Sequence, residues 1–317
     1  MAARGAPLLR VAVATSGGRD STALLHCTSR IVPALGIELW ALHVHHGLMP
    51  QADDWQAQVE RQCRRWRIAF ADARLEGTPP RGDSVEAWAR RGRYAALARM
   101  AHERGIGLVL LAQHRRDQAE TFVIQALRGG GAAGLAAMPA TALRDGITWA
   151  RPWLEMPREA IDTYVRRHRL AHVHDASNDD QRFARGRLRR SVWPALHGAF
   201  ADAETTLARA AGRAADEAAL LAEIAALDLP AVRTAQGSLS LAAWRALSPA
   251  RRANVLRAWL VAALPLPVPQ TLVRRLVAEL PQCLHAEWPA PGGRLLLRRG
   301  RLAFAPVARQ PDEDSST

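Results

Sequence analysis

The stretch LLRVAVATSGGRDS, residues 8–21, decides the fold of this chain. It begins with an apolar run typical of a buried strand, and the residues that follow Ser21, TALLH, are typical of a helix. A strand that enters a glycine turn and then a helix N-terminus forms an anion site, because successive backbone N–H groups converge there. Gly17 and Gly18 permit this turn, since glycine takes backbone angles closed to other residues.

The polar side chains of the same turn favour a nucleotide as the anion. Ser16 and Ser21 add hydroxyl donors, and Asp20 can hold the Mg²⁺ that accompanies nucleotide phosphates. The turn resembles the loop of the PP-loop ATP pyrophosphatases, which split ATP into AMP and pyrophosphate. The resemblance implies ATP and Mg²⁺ as cofactors, with Asp20 as the metal ligand. The ATP-binding residues that it implies are Ser16, Gly17, Gly18, Arg19, Asp20 and Ser21. The alternative is a glycine-rich turn without a ligand, which this position between strand and helix disfavours.

Lysine is absent from the chain, so all 43 Lys+Arg positions are arginine. This absence excludes the mechanisms that need a protein lysine, namely a Walker-type P-loop, a Schiff base and a lysyl-adenylate intermediate.

The charge of the chain points to a polyanionic partner. The formal net charge is +13, and the sequence pI is about 11.3. Guanidinium suits phosphate because its planar fork bonds two oxygens at once. Together with a nucleotide site, this charge predicts a nucleic acid as the co-substrate.

The three cysteines, Cys27, Cys63 and Cys283, are isolated from one another. Their spacing argues against a zinc finger, an iron–sulfur cluster and a disulfide framework. We expect no signal peptide, no membrane association and a reducing, cytoplasmic location.

Strands and helices alternate in the first half of the chain. Apolar runs predict strands over 37–44, 68–75 and 106–112. Helical patterns cover 53–67, 84–104 and 117–127, with Asp53 or Asp54 as the cap of the first. This order predicts an α/β fold, a doubly wound and mostly parallel sheet with ligands at the carboxyl ends of its strands.

Composition divides the chain into four predicted segments. Residues 1–200 form the PP-loop ATP-binding catalytic domain. Residues 201–228 form a helical connector, and the helix is expected to break at 228–230, where Pro230 stands. Residues 229–308 form a small α+β domain with helices over 250–263 and 270–280, and 309–317 form a disordered tail.

Six clusters beyond the glycine turn carry polar or glycine-rich patterns. They are HVHHGL (43–48), EAWARRGRY (86–94), QHRRDQAET (113–121), RGGGAAGLAAMP (128–139), DASN (175–178) and RFARGRLRR (182–190). Three of them have an ordinary alternative. The histidines are also typical of satisfied core residues, the stripe at 86–93 of a solvated salt-bridge face, and the polar residues at 118–121 of a helix first turn.

Taken together and in this order, the clusters resemble the tRNA(Ile)-lysidine synthetases over roughly residues 10–195. The length suits the short form of that family, for which a homodimer is also expected. The resemblance implies that ATP adenylates the C2 oxygen of the wobble cytidine, position 34, in an isoleucine tRNA with a CAU anticodon. The ε-amine of free L-lysine then displaces AMP and gives lysidine. It also implies that the small domain, 229–308, binds tRNA.

The resemblance also assigns roles to residues of this chain. The catalytic residues that it implies are Asp20, Asp117, Glu120 and His46. The tRNA- or substrate-binding residues are Glu86, Arg90, Arg93, His114, Gln118, Arg128, Arg185, Arg187 and Arg189. Asp117 and Glu120, three positions apart on one helix face, are expected to hold the ammonium of lysine, with His46 or His114 as a proton relay.

The chain departs from the family pattern at three positions. The family segment HHxDDQ reads QHRRDQ here, so that Gln113 replaces a histidine and Arg116 replaces an acid. The element RNxxR reads RGRLR, so that Gly186 replaces an asparagine. Arg116 matters most, because it places a cation where the family has a carboxylate.

Three other functions remain open from the sequence. A tRNA thiolase of the same superfamily needs persulfide cysteines or a cluster, which the scattered cysteines fit badly. An amidotransferase-type synthetase needs a glutamine-hydrolysing unit. A nucleotide-regulated RNA-binding protein without catalysis is favoured only by Arg116.

Overall fold

A computed structural model describes residues 9–45, 51–75, 77–78, 85–173 and 182–307. The chain divides into two compact units, Met1–Ala215 and Asp216–Thr317.

A six-stranded sheet forms the centre of the first unit, in the order β3-β2-β1-β4-β6-β5. The strands are β1 (Arg10–Ala14), β2 (Glu38–His45), β3 (Ala69–Arg74), β4 (Leu108–Leu110), β5 (Thr141–Arg144) and β6 (Ile147–Ala150). Every neighbouring pair is parallel except the hairpin β5–β6. The predicted mostly parallel sheet is therefore confirmed.

Helices cover both faces of this sheet. The helices of the first unit are α1 (Arg19–Ile31), α2 (Ala52–Trp66), α3 (Val85–Glu103), α4 (Arg115–Leu127), α5 (Ala132–Leu135), α6 (Arg158–Arg167), α7 (Ala184–Arg187) and α8 (Trp193–Ala199), and α9 (Ala203–Val232) runs from the first unit into the second. Leu24 of α1 and Val59 of α2 belong to one apolar core, and Leu97 and Met100 of α3 belong to another that includes Trp149. The chain is thus doubly wound.

The strand order fixes where ligands can bind. The chain runs outward from β1 to β3 in one direction and from β1 through β4 in the other, so that the order reverses between β1 and β4. In open parallel sheets the loops that leave such a pair of strands diverge and leave a crevice at the carboxyl edge. The glycine turn after β1 and the segment between β4 and α4 lie at this edge.

The second unit contains a four-stranded antiparallel sheet in the order β7-β10-β9-β8. Its further elements are β7 (Leu239–Ser240), α10 (Leu241–Ala246), α11 (Pro249–Ala263), α12 (Gln270–Glu279), β8 (Ala286–Ala290), β9 (Gly293–Arg298) and β10 (Arg301–Pro306). Trp244, Trp259 and Trp288 are buried in its core, and the ring N–H of each has a protein acceptor. The predicted small α+β architecture is confirmed.

Some predicted boundaries were wrong. The helix expected to break at 228–230 continues to Val232 with Pro230 inside it. Pro230 lacks an N–H and so costs the helix one hydrogen bond, and the helix ends two residues later. Buried Asp228 also pairs with Arg251 of α11 and holds this turn in place. The cap of α2 is Gln51, because the helix begins earlier than predicted and leaves Asp53 in its first turn.

No helix in the described part of the chain is both long and apolar enough to cross a membrane.

Candidate functional site

The glycine turn after β1 adopts a conformation that requires glycine. Gly17 has φ +79°, in the left-handed region, and a methyl group added to it would lie 2.9 Å from Cγ2 of Val59. The turn then enters α1 directly, with Gly18 at the N-cap position and no side chain capping the helix. The first N–H groups of a thirteen-residue helix are therefore left for another acceptor.

The carbonyl groups of this turn are held by the protein. The Gly17 carbonyl accepts from Val173 N at 2.8 Å and from Thr22 Oγ1 at 3.1 Å. The Thr15 carbonyl accepts from Nδ1 of buried His43 at 2.9 Å. His43 of the HVHHGL segment thus supports the turn from β2.

The N–H groups of the turn contact side-chain hydroxyls, and Gly17 N donates to Thr15 Oγ1 at 3.4 Å. Ser16 N donates to Ser21 Oγ at 3.2 Å, and Gly18 N donates to Ser16 Oγ at 3.3 Å. The two hydroxyl oxygens lie 3.2 Å apart. Because the hydroxyls of Ser16 and Ser21 can rotate away, the backbone N–H groups can donate to phosphate oxygens without a change of backbone conformation.

Asp20 belongs to the turn, and its carboxylate lies beside Arg19 and His114. Its Oδ1 accepts from Arg19 Nε at 2.9 Å, and its Oδ2 lies 3.7 Å from His114 Nε2. Burial alone would raise the pKa of Asp20, but the contacts with His114 and Arg19 outweigh burial and hold it well below its usual range. Arg19 also pairs with Asp162 of α6 at 2.7 Å, so its guanidinium is engaged by two carboxylates.

His114 links this turn to α4. It is the N-cap residue of α4 and forms a capping box with Asp117, whose Oδ2 accepts from His114 N at 3.1 Å. The ring Nε2 lies 3.5 Å from the same carboxylate oxygen. Burial alone lowers the pKa of His114, but its contact with Asp20 and the charges of Asp117 and Asp20 outweigh burial and raise it. The imidazole therefore joins carboxylates from the first turns of two helices, α1 and α4.

A cluster of charged side chains lies on the first turns of α4, and we call it the α4 cluster. Its members are Arg116, Asp117, Glu120, Arg185 and Arg189. Glu120 is 0 % exposed. Its two oxygens lie 2.8 and 3.0 Å from Arg189 Nε, and Arg189 Nη2 donates to Asp117 Oδ1 at 3.0 Å.

Two further arginines face the same buried carboxylate. Arg185 Nε and Arg116 Nε each lie 3.6 Å from a Glu120 oxygen. Arg185 also donates to Thr121 Oγ1 at 2.7 Å. Burial raises the cost of an isolated charge, so these guanidinium groups and Glu120 stabilise one another. Asp117, whose side chain is 12 % exposed, is the more accessible of the two carboxylates.

The remaining predicted site residues fall into three groups. Gln118 is buried, and both ends of its amide bond the backbone of Met138, so it holds the 128–139 loop in place. Exposed arginines are found at Arg90, Arg93, Arg128 and Arg187. His46, residues 175–178 and the side chain of Glu86 lie outside the described residues.

Sequence reasoning missed four residues that support the site. Asp162 pairs with Arg19, and Arg158 lies close enough for its charge to lower the pKa of His114 and of Arg116. Trp193 stacks on Arg116, and buried Arg151 donates to the Pro139 carbonyl at 2.8 Å. None of them belongs to a recognisable pattern, and only the fold brings them near.

Two family models match the chain. The PP-loop domain matches residues 4–196, and the TilS substrate binding domain matches residues 239–303. A solved U34-tRNA thiolase from Methanococcus maripaludis has a similar fold, with a TM-score of 0.55 at 14 % identity over 65 % of this chain and 71 % of that one.

Curated relatives match most of the chain. The tRNA(Ile)-lysidine synthase of Ralstonia nicotianae is 45 % identical over 80 % of this chain, which spans about half of that protein (54 %). The tRNA(Ile)-lysidine synthase of Bordetella parapertussis is 38 % identical over 92 % of this chain and 88 % of that protein. On the strength of these matches, this chain belongs to the tRNA(Ile)-lysidine synthase family of PP-loop enzymes.

Proposed function

We propose that this protein is a ligase that joins free L-lysine to C2 of cytidine 34 in an isoleucine tRNA with a CAU anticodon. ATP first adenylates the C2 oxygen and releases pyrophosphate, and the ε-amine of lysine then displaces AMP. The observation that carries the proposal is the link from Asp20 through His114 to Asp117, which joins an anion-binding turn to a carboxylate at 3.7 and 3.5 Å.

The turn at residues 16–21 supplies what the first step needs. Gly17 N–H, Gly18 N–H and the hydroxyls of Ser16 and Ser21 would bind phosphate oxygens and stabilise the charge that develops on departing pyrophosphate. Arg19 serves this turn through Asp20 and Asp162, so its contribution is to position Asp20.

Asp20 is suited to hold Mg²⁺ as a single carboxylate ligand. It is partly exposed, and its lowered pKa keeps it ionised. Among the described residues, no group of three histidines, cysteines or carboxylates is placed to hold a metal ion by itself. This fits an ion that arrives with nucleotide phosphates as its other ligands, where it would offset their charge.

The second step needs a neutral amine. An amine with a pKa of about 10.4 is mostly protonated at pH 7, and deprotonation costs roughly 4–5 kcal/mol. We assign the ammonium contact to Asp117, because Glu120 is enclosed by arginines. His114 lies beside Asp117 and is the group placed to accept the proton. Glu120 then acts by holding Arg189 in place.

The tRNA would contact exposed arginines of the first unit, including Arg90, Arg93, Arg128 and Arg187. Residues 239–303, which match the substrate binding domain, would also bind the tRNA. A tRNA substrate implies a cytoplasmic location. The homodimer stays a prediction that sedimentation velocity can test.

One assay separates this proposal from its rivals. The protein is incubated with ATP, labelled lysine and an isoleucine tRNA that has a CAU anticodon. Retention of label on the tRNA supports lysidine synthesis. ATP turnover without retained label indicates another PP-loop enzyme, and the absence of both indicates an RNA-binding protein.

A further inference from the structure

Within the described part of the chain, the Arg116 guanidinium makes no hydrogen bond. Its Nε is buried and has no partner, and the nearest carboxylate oxygen, Oε1 of Glu120, lies 3.6 Å away. That oxygen already accepts from Arg189 at 2.8 Å. Arg116 is therefore an incompletely satisfied cation.

The neighbouring arginines differ from Arg116 in this respect. Arg115 Nε donates to Glu204 at 3.0 Å, and Arg185 donates to Thr121. Arg189 bonds two carboxylates. A buried polar group without a hydrogen bond costs free energy. A ligand that supplies the missing acceptor to Arg116 would recover that free energy.

Packing holds Arg116 ready for a ligand. Its guanidinium lies over the ring of buried Trp193, with Cζ 4.4 Å from the ring centroid. The side chain is 20 % exposed, so one edge can be reached. Burial lowers the pKa of Arg116 more strongly than Glu120 raises it, so its neighbours do not fully compensate the charge. A fixed and partly desolvated cation binds an anion with little ordering cost.

We propose that Arg116 binds the carboxylate of the free amino acid while Asp117 binds an ammonium group. This inference rests on the proposed function and names the contact that recognises the far end of lysine. Arg116 and Asp117 belong to one cluster, because Arg116 lies 3.6 Å from Glu120 and Arg189 bonds both Glu120 and Asp117, so opposite charges are available within one site. A guanidinium matches a carboxylate in shape and can bond both of its oxygens.

The two other anions of the reaction have better sites. Phosphates of ATP have the N–H groups and hydroxyls of the turn at residues 16–21. Phosphates of tRNA need side chains at the surface, such as exposed Arg187 and Arg190. The partly enclosed position of Arg116 suits a small anion.

Two inhibitors that differ only at one end test the proposal. 6-Aminohexanoate and 1,5-diaminopentane share a chain of five methylene groups with an amine at one end. The other end is a carboxylate in 6-aminohexanoate and a second ammonium in 1,5-diaminopentane. Inhibition of lysine transfer is measured for each. For the wild-type protein we expect the inhibition constant of 6-aminohexanoate to be lower than that of 1,5-diaminopentane by about tenfold or more. In R116Q the ratio of the two inhibition constants should be close to one. The KM for lysine in R116Q should rise about 10- to 100-fold.

Arg115→Gln is the matched control, because it removes a neighbouring guanidinium that is already paired with Glu204. It should keep the wild-type inhibitor ratio. Should R116Q not fold, R116K decides, because it retains the charge and loses the planar fork. A ratio that falls in R116K supports the proposal, and one that stays unchanged overturns it.

Several results would overturn the carboxylate contact. They are equal or absent inhibition of the wild-type protein by the two compounds, an unchanged ratio in R116Q, and a KM change for ATP in place of lysine. Failure of the proposed function looks different, since the wild-type protein would then transfer no lysine to the tRNA at all.

Discussion

The Nε–H of Arg189 is shared between both carboxylate oxygens of Glu120, at 2.8 and 3.0 Å. Glu120 has no exposed surface, and Arg189 also reaches Asp117. The conformation of residues 182–190 is thereby fixed against the start of α4. The arginine-rich segment is divided between inward-facing residues that complete the α4 cluster and exposed residues, among them Arg187 and Arg190, which we propose contact tRNA.

Glu120→Gln should lower the free energy of unfolding by about 3–5 kcal/mol, because it leaves the Arg189 guanidinium and its neighbours without a buried counter-charge. Urea denaturation measures the change. Glu217→Gln, an exposed substitution of the same kind, should stay within about 0.5 kcal/mol of wild type. Equal losses in the two variants would show that Glu120 does not hold the cluster together.

Asp20→Asn should reduce pyrophosphate release by roughly 100-fold or more, since it removes the carboxylate that would hold Mg²⁺ at the nucleotide phosphates. Binding of tRNA should change less than about twofold, because Asp20 belongs to the turn and is engaged by Arg19. The control is Asp72→Asn on β3, an exposed carboxylate bonded to Gln56. Normal pyrophosphate release from Asp20→Asn would remove Asp20 from the first step.

Gly17→Ala should abolish ATP binding, because a methyl group there meets Val59 at 2.9 Å and φ is +79°. Gly36→Ala is matched to it, with φ +63° but open space around the added carbon. The control should cost about 1–2 kcal/mol of stability from backbone strain and leave ATP affinity unchanged. An equilibrium measurement of ATP binding compares Gly17→Ala with Gly36→Ala. Equal ATP affinity in the two variants would show that the close packing of the turn is unimportant.

Arg187→Ala and Arg190→Ala should each weaken tRNA binding and reduce the salt dependence of log K by about 0.7–0.9 per lost phosphate contact. Arg189→Ala should leave this salt slope unchanged, because its guanidinium is engaged by Glu120 and Asp117. Filter binding over a range of salt concentrations measures all three. A loss of slope in Arg189→Ala as large as in the others would mean that tRNA draws Arg189 out of the cluster.

The sequence was most informative about the first unit. The glycine turn is local, so strand, turn and helix could be predicted from residues 8–26, and the alternating order then predicted the parallel sheet. The hairpin β5–β6 was not predicted, because its strands have four residues each and are too short to show a periodic pattern.

The pairing of charges at the site was beyond sequence reasoning. Glu120 and Arg189 are 69 positions apart, and 43 arginines offer many equivalent partners. Asp117 and Glu120 were recognised as a pair from their spacing on one helix. Their different exposure, which separates a carboxylate open to substrate from one enclosed by arginines, depends on where α7 and the turn after it pack.

The central claim is most directly tested at the modified nucleotide itself. The CAU-anticodon tRNA is incubated with wild-type protein, ATP and labelled lysine, and is then digested so that the label can be mapped by nucleotide. The account predicts one labelled lysine attached to cytidine 34, with AMP and pyrophosphate released in equal amounts. Pyrophosphate release with no label at cytidine 34, or label at another nucleotide, would contradict it.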